Sequence, residues 1–275
     1  MQAAELGGDD DRHHGPPLLD AHAHIYRADM PAMAEAWHQP TKQATLEHYL
    51  SALDEAGVRA AVLAAASIYG DYNDYMIDAV RSHKHLRTTV IIPPDTDPYV
   101  LRMMKDDGVV GIRLQFRNVA SPPDLTSYSY QKLFRRAADL GWHVHLHDEG
   151  PRLVSHIPHI ESAGPRLVID HFGRPASGVD GDDFQQVLRA VERGRTWVKL
   201  SGAFRLMHPE RAPELAAALL EHAGAERLLW GSDWPFTAFE KNMSYSASLA
   251  LYKKLVPNAQ IRRSIDEAAW AFYFN

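Results

Sequence analysis

The chain of 275 residues sets 29 Lys and Arg against 35 Asp and Glu, a formal net charge of −6, so no electrostatic footprint for nucleic acid is expected. Hydrophobic residues at 45% and charged residues at 23% supply a large core and exclude a mostly disordered chain. No apolar run approaches the ~20 residues of a membrane helix. Zero cysteines exclude disulfides, thiolate metal sites and cysteine nucleophiles, and fit a cytoplasmic setting.

Residues 1–17 are polar, carry Asp9-Asp10-Asp11, and lack the basic and apolar regions of a secretory signal. They read as a flexible leader in which His13 and His14 are solvated. From Leu18 onward, short apolar runs alternate with longer helix-like stretches. Eight candidate strands follow, at residues 18–20, 58–66, 86–92, 109–114, 142–146, 167–170, 197–200 and 227–230. Helical stretches such as 45–56, 73–83, 99–107, 130–140 and 184–192 lie between them, and Leu46, Tyr49, Leu50 and Leu53 share one helical face. Gly57, Gly108, Gly141 and Gly194 stand at helix-to-strand joints as C-caps.

Two closing helices are expected at 245–255 and 258–272, with Trp197 and Trp270 in the core. No long linker divides the chain after Pro17. The expectation is therefore an α/β fold, one distorted (β/α)₈ TIM barrel over residues 18–275, close to the ~250 residues typical of that fold. An open doubly wound sheet would need a glycine-rich phosphate turn after its first strand. Asp20-Ala21-His22-Ala23-His24 stands there instead. The loop-like segment 116–129, with Pro122-Pro123, is long enough to be functional.

Barrel active sites lie at the carboxyl ends of the strands. At the first of these, period-2 geometry turns His22 and His24 to the same side, where two neutral imidazoles suit a divalent metal. The competing reading is two ordinary polar strand-end histidines. Asp170-His171-Phe172-Gly173-Arg174-Pro175 ends the sixth run, and His171 by itself serves equally as ligand or packing residue. In Trp230-Gly231-Ser232-Asp233-Trp234-Pro235, Asp233 is a strand-end carboxylate suited to metal binding or proton transfer, or else a turn or N-cap aspartate.

These motifs, with Lys199-Leu200-Ser201-Gly202-Ala203-Phe204-Arg205, occur in the order seen in one group. From about Leu18 to the C-terminal region the chain resembles the amidohydrolase superfamily, in the branch of 2-pyrone-4,6-dicarboxylate hydrolases and sugar lactonases. The resemblance implies a barrel hydrolase acting on lactones. It makes His22 and His24 the strand-one histidines, His171 the strand-six histidine, and Asp233 the strand-eight aspartate that activates water. It also implies that the histidines either bind a metal or polarise the carbonyl without one.

Three departures from the family pattern stand out. Phe236 follows Trp-Pro where histidine is common, the fourth run has no lysine for a carboxylated bridge between two metals, and the fifth reads Trp142-His143-Val144-His145-Leu146-His147. At most one divalent ion is expected, zinc by its ligand types, with His145 or His147 as a possible further ligand. Arg113, Arg117 and Arg205 near strand ends present donor forks for carboxylates. Arg113 and Arg205 match the positions of substrate-binding arginines in the pyrone hydrolases, and Arg117 matches approximately. Ser67 and Tyr69, in a loop resembling the family's polar substrate loop, are candidates to bind a carboxylate, and Trp234 to wall the pocket.

The expected function is catabolic hydrolysis of a small anionic lactone. A decarboxylase, a lactone isomerase and a non-catalytic binding protein are the alternatives. Nothing in the sequence specifies whether the barrel forms an oligomer.

Overall fold

The structure, a computed structural model, describes residues 17–275, so the expected leader lies outside the described residues apart from Pro17. Strands and helices alternate in chain order. They are β1 (Leu19–Ala23), α1 (Leu46–Ala56), β2 (Ala60–Leu63), α2 (Asp74–Ser82), β3 (Leu86–Val90), α3 (Pro98–Asp107), β4 (Val109–Gln115) and α4 (Tyr128–Asp139). The second half adds β5 (His143–His147), α5 (Gly150–Glu161), β6 (Arg166–Ile169), α6 (Asp182–Glu192), β7 (Thr196–Leu200), α7 (Ala212–Ala223), β8 (Leu228–Trp230), α8 (Tyr245–Leu255) and α9 (Ala259–Phe274).

All eight strands pair in sequence order and in parallel, as the alternating pattern predicts. An isolated parallel bridge between Ala23 and Trp234 joins the two edges. There the Asp233 N–H donates to His22 O and the His24 N–H to Trp234 O, both at 2.8 Å. The segment that closes the barrel is therefore also the segment that carries the strand-eight aspartate.

Four helix ends carry the predicted punctuation: Gly57, Gly108, Gly141 and Gly194 all have positive φ. Side chains of Thr45, Asp97, Ser244 and Asn258 cap the starts of α1, α3, α8 and α9. Such caps contribute about 1 kcal/mol each. Two helices, α5 and α7, stand where no helix was named. Pro151 and Pro158 obscure α5 in the sequence, yet Leu153, Val154, Ile157 and Ile160 bury one face of it.

The strands contribute to two apolar layers. The outer layer packs the helices against the sheet, while a second cluster fills the lower barrel with Leu19, Ala21, Ala60, Val62, Val168 and Leu229. Ala269, Phe272 and Tyr273 of α9 plug this lower end. Trp197 is half-buried and packs on Phe272, with ring centroids 4.7 Å apart. Trp270, expected in the core, is instead 39% exposed and stacks on Phe274, because the face of α9 that meets the barrel is the one bearing Ala269, Phe272 and Tyr273.

In β1 the register shifts between Asp20 and Ala23. Leu19 and Ala21 belong to the lower interior, and the shift lets His22 follow Ala21 inward. Irregularities of this kind re-aim side chains beside active sites. Asp20 points the other way, accepting from Ser232 N, Ser232 Oγ, His22 N, Tyr49 Oη and Tyr245 Oη at 2.5–3.1 Å. Five donors on one buried carboxylate fasten β1 to the β8 end and to α1 and α8.

Candidate active site

A cavity of about 260 Å³ opens at the carboxyl ends of the strands, lined by His24, His147, His171, Asp233, Arg113 and Arg205 among others. At its base, His22 Nε2 and His24 Nε2 lie 3.2 Å apart, and Asp233 Oδ1 is 3.8 Å from each. The close approach depends on Gly231, where a Cβ would fall 2.5 Å from His22 Cβ. His24 Nδ1 donates to Ala64 O at 2.7 Å, which leaves its Nε2 lone pair free. His171 Nδ1 lies 2.8 Å from the Ser201 hydroxyl, and Gly202 makes room for this ring, since a Cβ there would sit 2.6 Å from His171 Nδ1.

Beneath these groups runs a fully buried polar layer. Asp170 accepts from His145 Nε2, sits 3.1 Å from both His22 Nδ1 and an Arg113 Nη, and lies 3.6 Å from Lys199 Nζ. Lys199 Nζ is 3.1 Å from His22 Nδ1 and from His145 Nε2. One carboxylate thus gathers two cations and two imidazoles, which is how buried charge is tolerated.

Burial governs the protonation states. It lowers the pKa of His24 and His145 to about 3, and it also pushes His22, His147 and His171 well down. All five rings are therefore neutral near pH 7. Burial brings Lys199 down to about 8, opposed by Asp170. It raises Asp233, opposed by Arg205, whose Nε donates to Asp233 Oδ2. A raised carboxylate next to neutral imidazoles suits proton transfer near neutral pH.

The amidohydrolase family profile matches residues 19–267. The chain belongs to the amidohydrolase family. This amidohydrolase is 28% identical over 261 residues to 4-sulfomuconolactone hydrolase of Hydrogenophaga intermedia, covering 91% of this chain and 86% of that protein. It is 26% identical over 266 residues to 2-pyrone-4,6-dicarboxylate hydrolase of Comamonas testosteroni, covering 90% and 86%. The crystal structure of a probable 2-pyrone-4,6-dicarboxylic acid hydrolase from Acinetobacter baumannii, with citric acid bound, matches it with a TM-score of 0.88. Identity there is 27%, over 94% of this chain and 99% of that chain.

Of the residues singled out in the sequence, His22, His24, His171 and Asp233 meet around one end of this cavity. Arg113, Arg117, Arg205 and Ser67 line its wall. Arg113 is committed elsewhere, donating to Ala65 O and Asp170, so its guanidinium serves the buried layer as well as the cavity. Ser67 accepts from Trp37 Nε1, a strap residue of the long β1–α1 connection.

Tyr69 and Trp234 are corrections. Neither is among the residues that line the cavity: Tyr69 packs with Met30 and with Tyr26 and Ile68, which do line it, and Trp234 turns onto Tyr49 with ring centroids 5.0 Å apart. His145 and His147 belong to no cluster of potential metal ligands among the described residues. Strand alternation places His145 below the site, on Asp170, and His147 in the cavity wall beside His171, its Nε2 without a partner among the described residues.

Asp170, Lys199 and Arg174 were not singled out in the sequence. The signal for Lys199 is a charge inside an apolar strand, which is rarely buried unless paired. Asp170 and Arg174 flank His171 within the motif itself.

Proposed function

We propose that this protein hydrolyses a small lactone bearing at least one anionic group. The observation that carries the reading is Asp233 Oδ1 facing the paired His22 and His24 nitrogens in a cavity walled by arginines. The named relatives, a sulfomuconolactone hydrolase and a pyrone dicarboxylate hydrolase, support the substrate class, as does a tricarboxylic acid bound in the similar crystal structure.

Arg117, Arg174 and Arg205 hold the substrate's anionic groups, orienting the lactone carbonyl toward the histidines. Asp233 takes a proton from water as the water oxygen bonds to the carbonyl carbon. His171, with Ser201 donating to Nδ1, offers Nε2–H to the developing oxyanion. Collapse of the tetrahedral intermediate breaks the ring C–O bond, and the departing oxygen recovers the proton from Asp233. Arg205 keeps the carboxylate ionised before the first transfer and oriented through both.

His22, His24 and Asp233 also fit one divalent ion. Their two Nε2 atoms stand 3.2 Å apart, against about 3.3 Å between neighbours around a tetrahedral ion with ~2.0–2.1 Å bonds to nitrogen. Their Nδ1 atoms meet Asp170 and Ala64 O, the carboxylate and carbonyl partners that hold metal-ligating histidines in place. Zinc suits this donor set, and when bound it would polarise the carbonyl as a Lewis acid.

Asp233→Asn is the test: turnover of a lactone panel should fall about 10²–10⁴-fold with the melting temperature preserved. Near wild-type hydrolysis by that variant would overturn the reading. Carbon dioxide release, or ring migration without opening, would reassign the reaction to decarboxylation or isomerisation. Metal analysis of untagged protein, with activity followed through chelation and zinc return, tests the ion; full activity without it would leave the histidines acting directly.

A further inference from the structure

Glu149 stands at the carboxyl end of β5, at the start of α5, and caps no backbone N–H of that helix with its side chain. A single oxygen, Oε2, accepts from Arg117 Nε at 2.9 Å and from Arg174 Nε at 3.2 Å. These arginines come from different connections, β4–α4 and β6–α6, and both line the cavity. The backbone reinforces the link, because the Gly150 N–H donates to Arg174 O at 3.2 Å.

The donors left over differ between the two. Arg117 spends an Nη on Asn118 Oδ1, whereas the Arg174 side chain, only 10% exposed, has no protein partner for its Nη atoms among the described residues. Arg174 lines the cavity, where guanidinium donors without a protein partner are available to an oxyanion of the substrate. Two guanidiniums side by side repel, and burial with the neighbouring Arg117 charge draws the pKa of Arg174 below the arginine norm.

We propose that Glu149 is a specificity-determining residue: it holds Arg117 and Arg174 together and cancels one of their two charges, so this end of the cavity accepts one singly charged oxyanion. The group is a carboxylate or sulfonate distal to the reacting carbonyl. The inference rests on the lactone reading above and deepens it, since it says how many anionic charges that end of the substrate carries.

Glu149→Gln keeps an acceptor oxygen for both Nε atoms and removes only the charge. With a net charge of two at the arginine pair, KM for a lactone carrying two distal carboxylates should fall roughly five- to tenfold, given a charge several ångströms away in a partly screened site. KM for the matched lactone without distal anions should not move, and the gain should shrink at high salt. Equal KM changes for both lactones, or none, would overturn the proposal.

Calorimetric titration with citrate separates this idea from the hydrolase reading. Tighter citrate binding by Glu149→Gln supports the proposal even if no lactone is opened, whereas equal or weaker binding sinks it. Arg174→Gln is the converse variant, and unchanged citrate binding there would also count against it.

Discussion

The two halves of the barrel interior are built on opposite physical principles. The lower half is an apolar plug of Leu19, Ala21, Ala60, Val62, Val168 and Leu229, sealed by aromatic residues of α9. The upper half buries His22, His145, Asp170 and Lys199 with no solvent exposure and Arg113 at 4%. Burying alkyl groups is favourable whereas burying charge is costly, and that cost is tolerated because Asp170 faces both Lys199 and Arg113. The lower half supplies stability through burial, and the upper half holds neutral imidazoles and a carboxylate in fixed positions. The contrast runs along single strands: β5 sends His145 and His147 to the upper layer and His143 onto Phe272 and Tyr273 of the plug, while β2 and β8 contribute only small and aliphatic groups below.

The contrast can be broken at either end. Asp233→Asn carries the largest expected effect, a loss of turnover with stability intact. A collapse in melting temperature would show that the carboxylate is a structural member of the upper layer. At the lower end, Phe272→Ala should cost about 3–5 kcal/mol in urea unfolding and leave KM for the lactone where it was. A raised KM would mean that the plug shapes the site.

Arg205→Met sharpens the account of the acid. Arg205 opposes the burial that raises Asp233, so its removal should carry the acid limb of the kcat/KM profile to higher pH, together with a weaker KM. A limb that moves to lower pH would contradict the pairing.

The smallest effect concerns Asp266 of α9, which burial raises to about 7. The folded state holds this proton more tightly than the unfolded chain, so stability is greatest below pH 4 for this group and declines as pH rises toward 7. Asp266→Asn should flatten that decline in melting temperature between pH 4 and 7, and an unchanged slope would dismiss it.

The barrel was legible because its signals are local. Apolar runs at regular spacing mark eight strands, and glycines at four helix ends set the rhythm of the repeat. The helix α5 was obscured by Pro151 and Pro158, whose local cost is outweighed by a buried face that only the assembled barrel supplies. Trp270 misled in the same way, since which face of α9 is covered depends on the barrel floor. At the site, His22, His24, His171 and Asp233 were readable as strand-end residues. The turning of Trp234 onto Tyr49 was not, because it follows from the geometry of the closing seam.

Chain periodicity alone determined the fold class, and residue type at strand ends determined which groups are candidates for the chemistry; both follow from backbone geometry acting over a few residues. Tertiary structure decided the rest: that Lys199 and Asp170 lie under His22, that Arg113 turns inward, and that one Glu149 oxygen spans two arginines. Those contacts join residues up to 177 positions apart, and their electrostatics depend on depth below the surface, a quantity that the linear order of residues does not contain.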